Sequence, residues 1–177
     1  MRIRADLARI RFFGAEMNKN TRFCIRAAVI AAVYVLLTLV WPLSFGPVQV
    51  RISEALTVLP LMTPAAVPGL FLGCLLSGIL SGSVWIDVAL GSLATLLSAF
   101  LTRKLRDKPL AAALLPPVLL NAIITGSVIH FCYAGDPAIS LLPLTMLSVG
   151  AGEAAAVYLP GIGLMRLLRA LPDEILK

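Results

Sequence analysis

Charge is scarce in this sequence. Of its 177 residues only 14% are charged and 59% are hydrophobic, whereas soluble domains average about 25% charged residues. A water-soluble core of this length could not hide so much apolar surface, because small domains leave much of their surface facing solvent. A soluble globular fold is excluded, and lipid is the solvent the composition implies. Histidine occurs once and cysteine three times, as Cys24, Cys74 and Cys132. Wide spacing and an odd number leave no paired zinc or redox motif, so the cysteines read as small apolar packing residues. A Gly-rich loop ending in Lys-Ser or Lys-Thr is also missing, which excludes a P-loop phosphate cradle. One histidine, no paired metal ligands and no nucleophile beside a base argue against a membrane-embedded enzyme and against a metal site or cofactor held by this chain.

The charge that is present has a strong sign and a strong pattern. The net charge is +6, which by itself raises nucleic acid as a partner. The placement of the fifteen Lys and Arg argues otherwise: seven lie between Arg2 and Arg26, four in "RKLRDK", three from Arg166 onward, and Arg51 stands alone. Three of these clusters flank apolar runs, the pattern of cytoplasmic loops. They are expected in the cytosol. The basic start runs into a full-length apolar segment without a small-residue cleavage site, so the first span is expected to persist in the mature protein.

A spanning helix takes about 20 mostly apolar residues, and four stretches qualify at once: 23–41, 84–102, 110–131 and 139–168. The region 52–81 is too long for one span and is cut by Pro60, Pro64 and Pro68, which remove backbone donors and favour a break. Two crossings here keep "RKLRDK" and the tail on the cytosolic side; one crossing would put "RKLRDK" outside. The expectation is therefore an all-α membrane protein. It is a six-helix bundle with both termini cytosolic, a short second helix at about 53–62, and an extended outer loop between helices 1 and 2. Residues 1–22 form a basic N-terminal segment, 23–172 the bundle and 173–177 a tail.

Small residues mark where helices meet. Gly69, Gly73 and Ser77 recur every four residues, the spacing that lets membrane helices approach closely. Ala27 with Ala31, and Ala28 with Ala32, offer a similar face. Asp87, Gly91, Thr95, Ser98 and Thr102 form a polar or small stripe, which should face protein or a cavity. Either a binding role or ordinary packing accounts for such stripes.

Ionisable groups within spans are costly, about 2.5–3.5 kcal/mol on insertion scales, and tend to face the interior with a purpose. Glu153 lies near the middle of the last span, with Gly150 one turn earlier leaving space beside it. A ligand, a helix-helix hydrogen bond or lipid are its possible partners. Asn121 is mid-span and shares a face with Thr125. Asp87 beside Trp85 begins the fourth span, where it also suits a helix N-terminus. His130 lies near an outer helix end, where a solvent-touching imidazole is expected. Arg51 and Glu54, in "FGPVQVRISEAL", either anchor each other at the outer surface or close the mouth of a site. The candidate set is Gln49, Arg51, Glu54, Trp85, Asp87, Asn121, His130 and Glu153. Three carboxylates against one arginine favour a cationic or donor-rich solute.

The runs "FGPVQVRISEALTVLPLMTPAAVPGLFLGC", "ALGSLATLLSAFLTRKLR", "LPPVLLNAIITG" and "LSVGAGEAAAVYLPGIG" resemble the QueT family of bacterial membrane proteins, over about 18–168. "MNKNTRF" at Met17 is similar to a family beginning, so 1–16 is expected to be an extension. The resemblance implies the substrate-binding S component of an energy-coupling factor transporter in the bacterial cell membrane, proposed to import queuosine precursors. It further implies a micronutrient held near the outer side and a partner module of one membrane coupling protein and two ATPases, which use the ATP. By the same resemblance, Ala27, Ala28, Ala31 and Ala32 dock on the coupling protein. A 7-deazaguanine with an aminomethyl arm would meet Glu153 at its ring edge or ammonium. Asn121 would orient it, Trp85 would stack on the ring, and the Arg51–Glu54 segment would close over it. Rivals are an S component for another vitamin or nucleobase, and a purely structural membrane subunit.

Overall fold

The structure is a computed structural model that describes residues 18–40, 51–133 and 141–170. Gln49, most of the outer loop between the first two helices, the basic start and the tail lie outside the described residues. Four helices among the described residues are long and apolar enough to cross a bilayer: α1 (Lys19–Val40), α3 (Trp85–Lys104), α4 (Leu110–Tyr133) and α5 (Leu142–Ala170). These follow the four apolar runs closely. Between α1 and α3 the chain forms a 3₁₀ rod, Ile52–Leu61, and a shorter helix, α2 (Ala66–Leu80). Ten residues of 3₁₀ helix rise about 20 Å and fifteen of α-helix about 22 Å, so neither reaches across a core of about 30 Å alone. No strand occurs among the described residues.

Proline sets these boundaries. Pro60 sits inside the rod near its end, Pro64 in the connection, and Pro68 in the first turn of α2, where its missing N–H would have had no intrahelical partner. The carbonyls freed at the break are taken by α3: Arg103 Nη1 donates to Pro60 O at 3.0 Å and to Leu61 O at 3.4 Å. Arg103→Met is expected to lower stability by about 1 kcal/mol, the low end for a charged donor because Arg103 is partly exposed. Thermal unfolding in detergent measures it.

The helices pack in chain order, α1 on α2, α2 on α3, α3 on α4 and α4 on α5, and the rod touches α1, α2, α3 and α5. Close approach between α1 and α2 depends on glycine. A Cβ on Gly69 would meet Ala27 O at 2.8 Å, and one on Gly73 would meet Tyr34 Cβ at 2.7 Å. Ala27 and Ala31 are thus consumed by packing within the chain, while Ala28 and Ala32 remain exposed. Gly150 does not leave space beside Glu153: a Cβ there would meet Ala122 Cβ at 3.1 Å, and the residue serves the α4–α5 contact.

The polarity of the bundle is inverted relative to a soluble protein. Its outside carries Leu36, Val40, Leu80, Leu144, Leu147 and Leu159, all largely exposed, whereas Thr38, Glu54, Asp87, Thr95, Asn121 and Glu153 are buried. Lipid accepts the first group without cost, and the second must be satisfied internally. Every member of the α3 stripe, from Asp87 to Thr102, is buried.

Candidate functional site

The 3₁₀ rod is where the site begins. At three residues per turn, side chains at i and i+3 eclipse, and the rod therefore carries three straight columns. Arg51, Glu54 and Thr57 form the polar one. Ala55, Val58 and Leu61 form a second, against α5, where a Cβ on Gly161 would meet Val58 Cγ1 at 2.9 Å. Leu56, Leu59 and Met62 form the third, facing α1. Arg51 precedes the first turn in extended conformation, and Glu54 N–H donates to its carbonyl at 3.0 Å.

Glu54 is 1% exposed and Glu153 is 7% exposed, and the two carboxyl groups approach closely enough to interact. They come from different elements, the rod and α5. Each has one oxygen held by a neutral donor from a further helix. Tyr34 Oη on α1 donates to Glu54 Oε1 at 2.5 Å, and Asn121 Nδ2 on α4 donates to Glu153 Oε1 at 2.9 Å. Thr125 Oγ1 donates to Asn121 Oδ1 at 3.2 Å, which fixes the amide orientation. Asn121 starts a π-helical turn, Asn121–Thr125, just after Pro116 and Pro117; such turns recur at functional positions because they re-aim side chains. Glu54 Oε2 is buried and has no partner, an arrangement that costs several kcal/mol unless a donor arrives.

Arg51, Glu54, Asn121, Thr125, Val149 and Glu153 line a cleft of about 10 Å³, room for no more than one water. A second small cleft, of about 20 Å³, lies on the other side of Arg51 among Thr38, Ser77, Ser83 and Asp87. Arg51 and Glu54 form no ion pair within 4 Å among the described residues, and Arg51 Nε has no hydrogen-bond partner. Mutual anchoring does not explain the pair. Asp87 Oδ2 accepts from Tyr133 Oη at 3.0 Å, and Tyr133 Oη accepts from Val84 N–H at 3.1 Å, tying the end of α4 to the start of α3.

Of the candidate residues, then, Arg51, Glu54, Asn121 and Glu153 converge, and Asp87 sits in the adjoining cleft. Trp85 is 75% exposed and lines neither cleft, so it stacks on nothing inside the bundle. His130 is buried rather than solvent-touching, with Nδ1 3.4 Å from Thr145 Oγ1 and Nε2 unpartnered. Residues that sequence reasoning passed over are Tyr34, Thr38, Ser53 and Val149. Tyr34 had one usable signal: it falls on the same α1 face as Ala27, Ala31 and Thr38, the buried face of an otherwise aliphatic helix.

A polar interior assembled from six separate helical elements, inside a lipid-facing shell, suits a protein that receives a solute within the membrane. Residues 24–170 match the family described as the QueT transporter. The chain belongs to the QueT transporter family. A curated relative, the queuosine precursor transporter QueT of Lactococcus lactis subsp. cremoris (strain MG1363), is 34% identical over 84 residues, 45% of this chain and 49% of that protein. The match thus spans about half the relative's length. No solved structure matches. Membership in this family, together with four apolar helices long enough to cross a bilayer, makes the chain a multi-pass membrane protein.

Proposed function

We propose that the chain is the substrate-binding S component of an energy-coupling factor importer and that it captures a queuosine precursor, a 7-deazaguanine with an aminomethyl arm. One observation carries the proposal: two buried carboxylates from separate elements share a cleft, each held by a neutral donor, and one keeps an unpartnered oxygen. A ligand bearing an ammonium and a donor-rich ring edge supplies what they lack. The family and the relative's printed substrate agree with that chemistry.

The cleft is far too small for a bicyclic ring in this closed form, so entry requires the rod to part from α4 and α5. Rod and α2 together would supply the second and third crossings of a six-crossing topology, with both termini cytosolic and the site toward the outer side. Thermal-shift measurement of the purified protein against the aminomethyl deazaguanine, guanine, thiamine and riboflavin tests the substrate. Selective stabilisation by the deazaguanine is expected; stabilisation by another of the four would reassign the substrate, and none would remove the binding role.

Partner docking is the second element of the proposal. Ala28 and Ala32 stay exposed on α1, next to an apolar groove of about 360 Å³ between α1, the rod and α5, lined by Val29, Val33, Leu59 and Leu164 among others. Small exposed residues beside a groove let another helix approach closely, as a membrane coupling protein would; ATP would be hydrolysed by its two ATPase partners. Ala32→Trp is expected to cut uptake at least tenfold while leaving ligand binding by the isolated chain unchanged. Paired uptake and binding assays check this, and normal uptake would move docking elsewhere.

A further inference from the structure

The carboxylate of Glu54 does not stand free. Its Oε1 is bound by the Tyr34 phenol, and its neighbour three residues earlier in the same rod column is Arg51, whose Nε is unpartnered. In such a column the guanidinium is an alternative partner for Glu54, because i and i+3 side chains eclipse. Yet the ion pair is not made. Glu54 Oε1 is instead held by the phenol of Tyr34, which is 0% exposed and has its ring packed with Leu56, Leu70, Cys74 and Ala99. Gly73 admits the ring against α2, since any Cβ there would meet Tyr34 Cβ at 2.7 Å and Cγ at 3.0 Å. One turn on, the Thr38 hydroxyl bonds to the Tyr34 carbonyl at 2.9 Å and to the Ser53 hydroxyl at 2.7 Å, fixing α1 to the rod beside Glu54.

Taking the cleft as the ligand site, as proposed above, we infer that Tyr34 is a specificity-determining positioning residue. It holds Glu54 away from Arg51 with Oε2 turned to the cleft, where it receives the cationic arm of the ligand. The division of labour follows from the two carboxylates' different surroundings. Glu153 belongs to a chain of alternating donors and acceptors with Asn121 and Thr125, which complements a ring edge that also alternates. Glu54 has a phenol on one oxygen and no donor on the other, which suits a single ammonium. A neutral donor is the appropriate orienter, because it fixes the carboxylate without neutralising it, as an arginine would. Tyr34 itself need not touch the ligand.

Calorimetric binding to the purified full chain tests the inference with two probes, 7-aminomethyl-7-deazaguanine and 7-methyl-7-deazaguanine, which lacks only the amine. Tyr34→Phe keeps the ring in its pocket and removes the hydroxyl. It is expected to weaken the aminomethyl ligand at least about tenfold, as for loss of one charge-assisted contact, and to change the methyl ligand less than about threefold. Adding Tyr34→Phe to Glu54→Gln is expected to cost nothing further for the aminomethyl ligand, because Tyr34 acts through Glu54. Equal losses for both probes, additive losses in the double variant, or no loss at all would each overturn the inference, the first two reducing Tyr34 to a packing residue. Wild-type chain that binds neither probe would instead sink the substrate assignment on which the inference rests.

Discussion

Glu153→Gln is expected to weaken binding of the aminomethyl deazaguanine by about 10–100-fold. Glutamine has nearly the shape of glutamate, so the loss measures charge and hydrogen-bonding pattern. Two effects add. The charge-assisted contact to the ligand disappears, a change of about 1.5–3 kcal/mol, and the new amide must face Asn121 Nδ2, which now donates to Glu153 Oε1 at 2.9 Å. If the glutamine turns its own oxygen to Asn121, its NH₂ group points into the cleft, donor against donor. Isothermal titration with wild type and variant decides the matter, and equal affinities would take Glu153 out of the site. The Thr125–Asn121 bond limits escape by amide rotation, because Asn121 Oδ1 is already engaged.

Gly73→Leu is expected to have the largest effect on stability. The α1–α2 contact has no room for even one added carbon, which would lie 2.7 Å from Tyr34 Cβ and 3.1 Å from Ala31 O. Backbone oxygen cannot retreat without moving α1, so the helices must separate. Overpacking of a rigid core costs about 1–3 kcal/mol for small insertions, and a whole leucine here is expected to exceed that range. Separation also withdraws the Tyr34 hydroxyl from Glu54, so ligand affinity and thermal stability should fall together. Thermal unfolding with and without ligand reads both; a variant as stable as wild type would mean that α1 and α2 are held apart by other contacts. By comparison Gly163, with open space around its position, should accept alanine with little change.

The four long helices were legible because lipid imposes a length and a polarity that the sequence cannot disguise: α1, α3, α4 and α5 begin and end within a few residues of the apolar runs. The short second helix was legible from Pro60, Pro64 and Pro68, though its 3₁₀ winding was not, since no residue type marks that choice. Helical phase accounts for the misplaced candidates. Trp85 and Asp87 are two residues apart on one helix, about 200° around its axis, so with Asp87 turned inward Trp85 has to face lipid. Ala27 and Ala28 are about 100° apart, and the pair Ala27 and Ala31 took the α2 contact while Ala28 and Ala32 stayed outside. Tyr34 escaped notice because a phenol in an aliphatic helix carries no charge to betray an internal partner. That partner, Glu54, lies twenty residues away across a connection outside the described residues.

The three columns of the Ile52–Leu61 rod act as a reading frame written in side chains. Substitution can alter one face at a time, but inserting or deleting a single residue turns everything beyond it by about 120°, delivering Val58 to the neighbour's column and an aliphatic side chain to a polar one. Only a change of three residues restores the faces, and it displaces the far end by about 6 Å, past the Arg103 anchor at Pro60. The length of this segment is therefore fixed by geometry, even where its composition is free to drift.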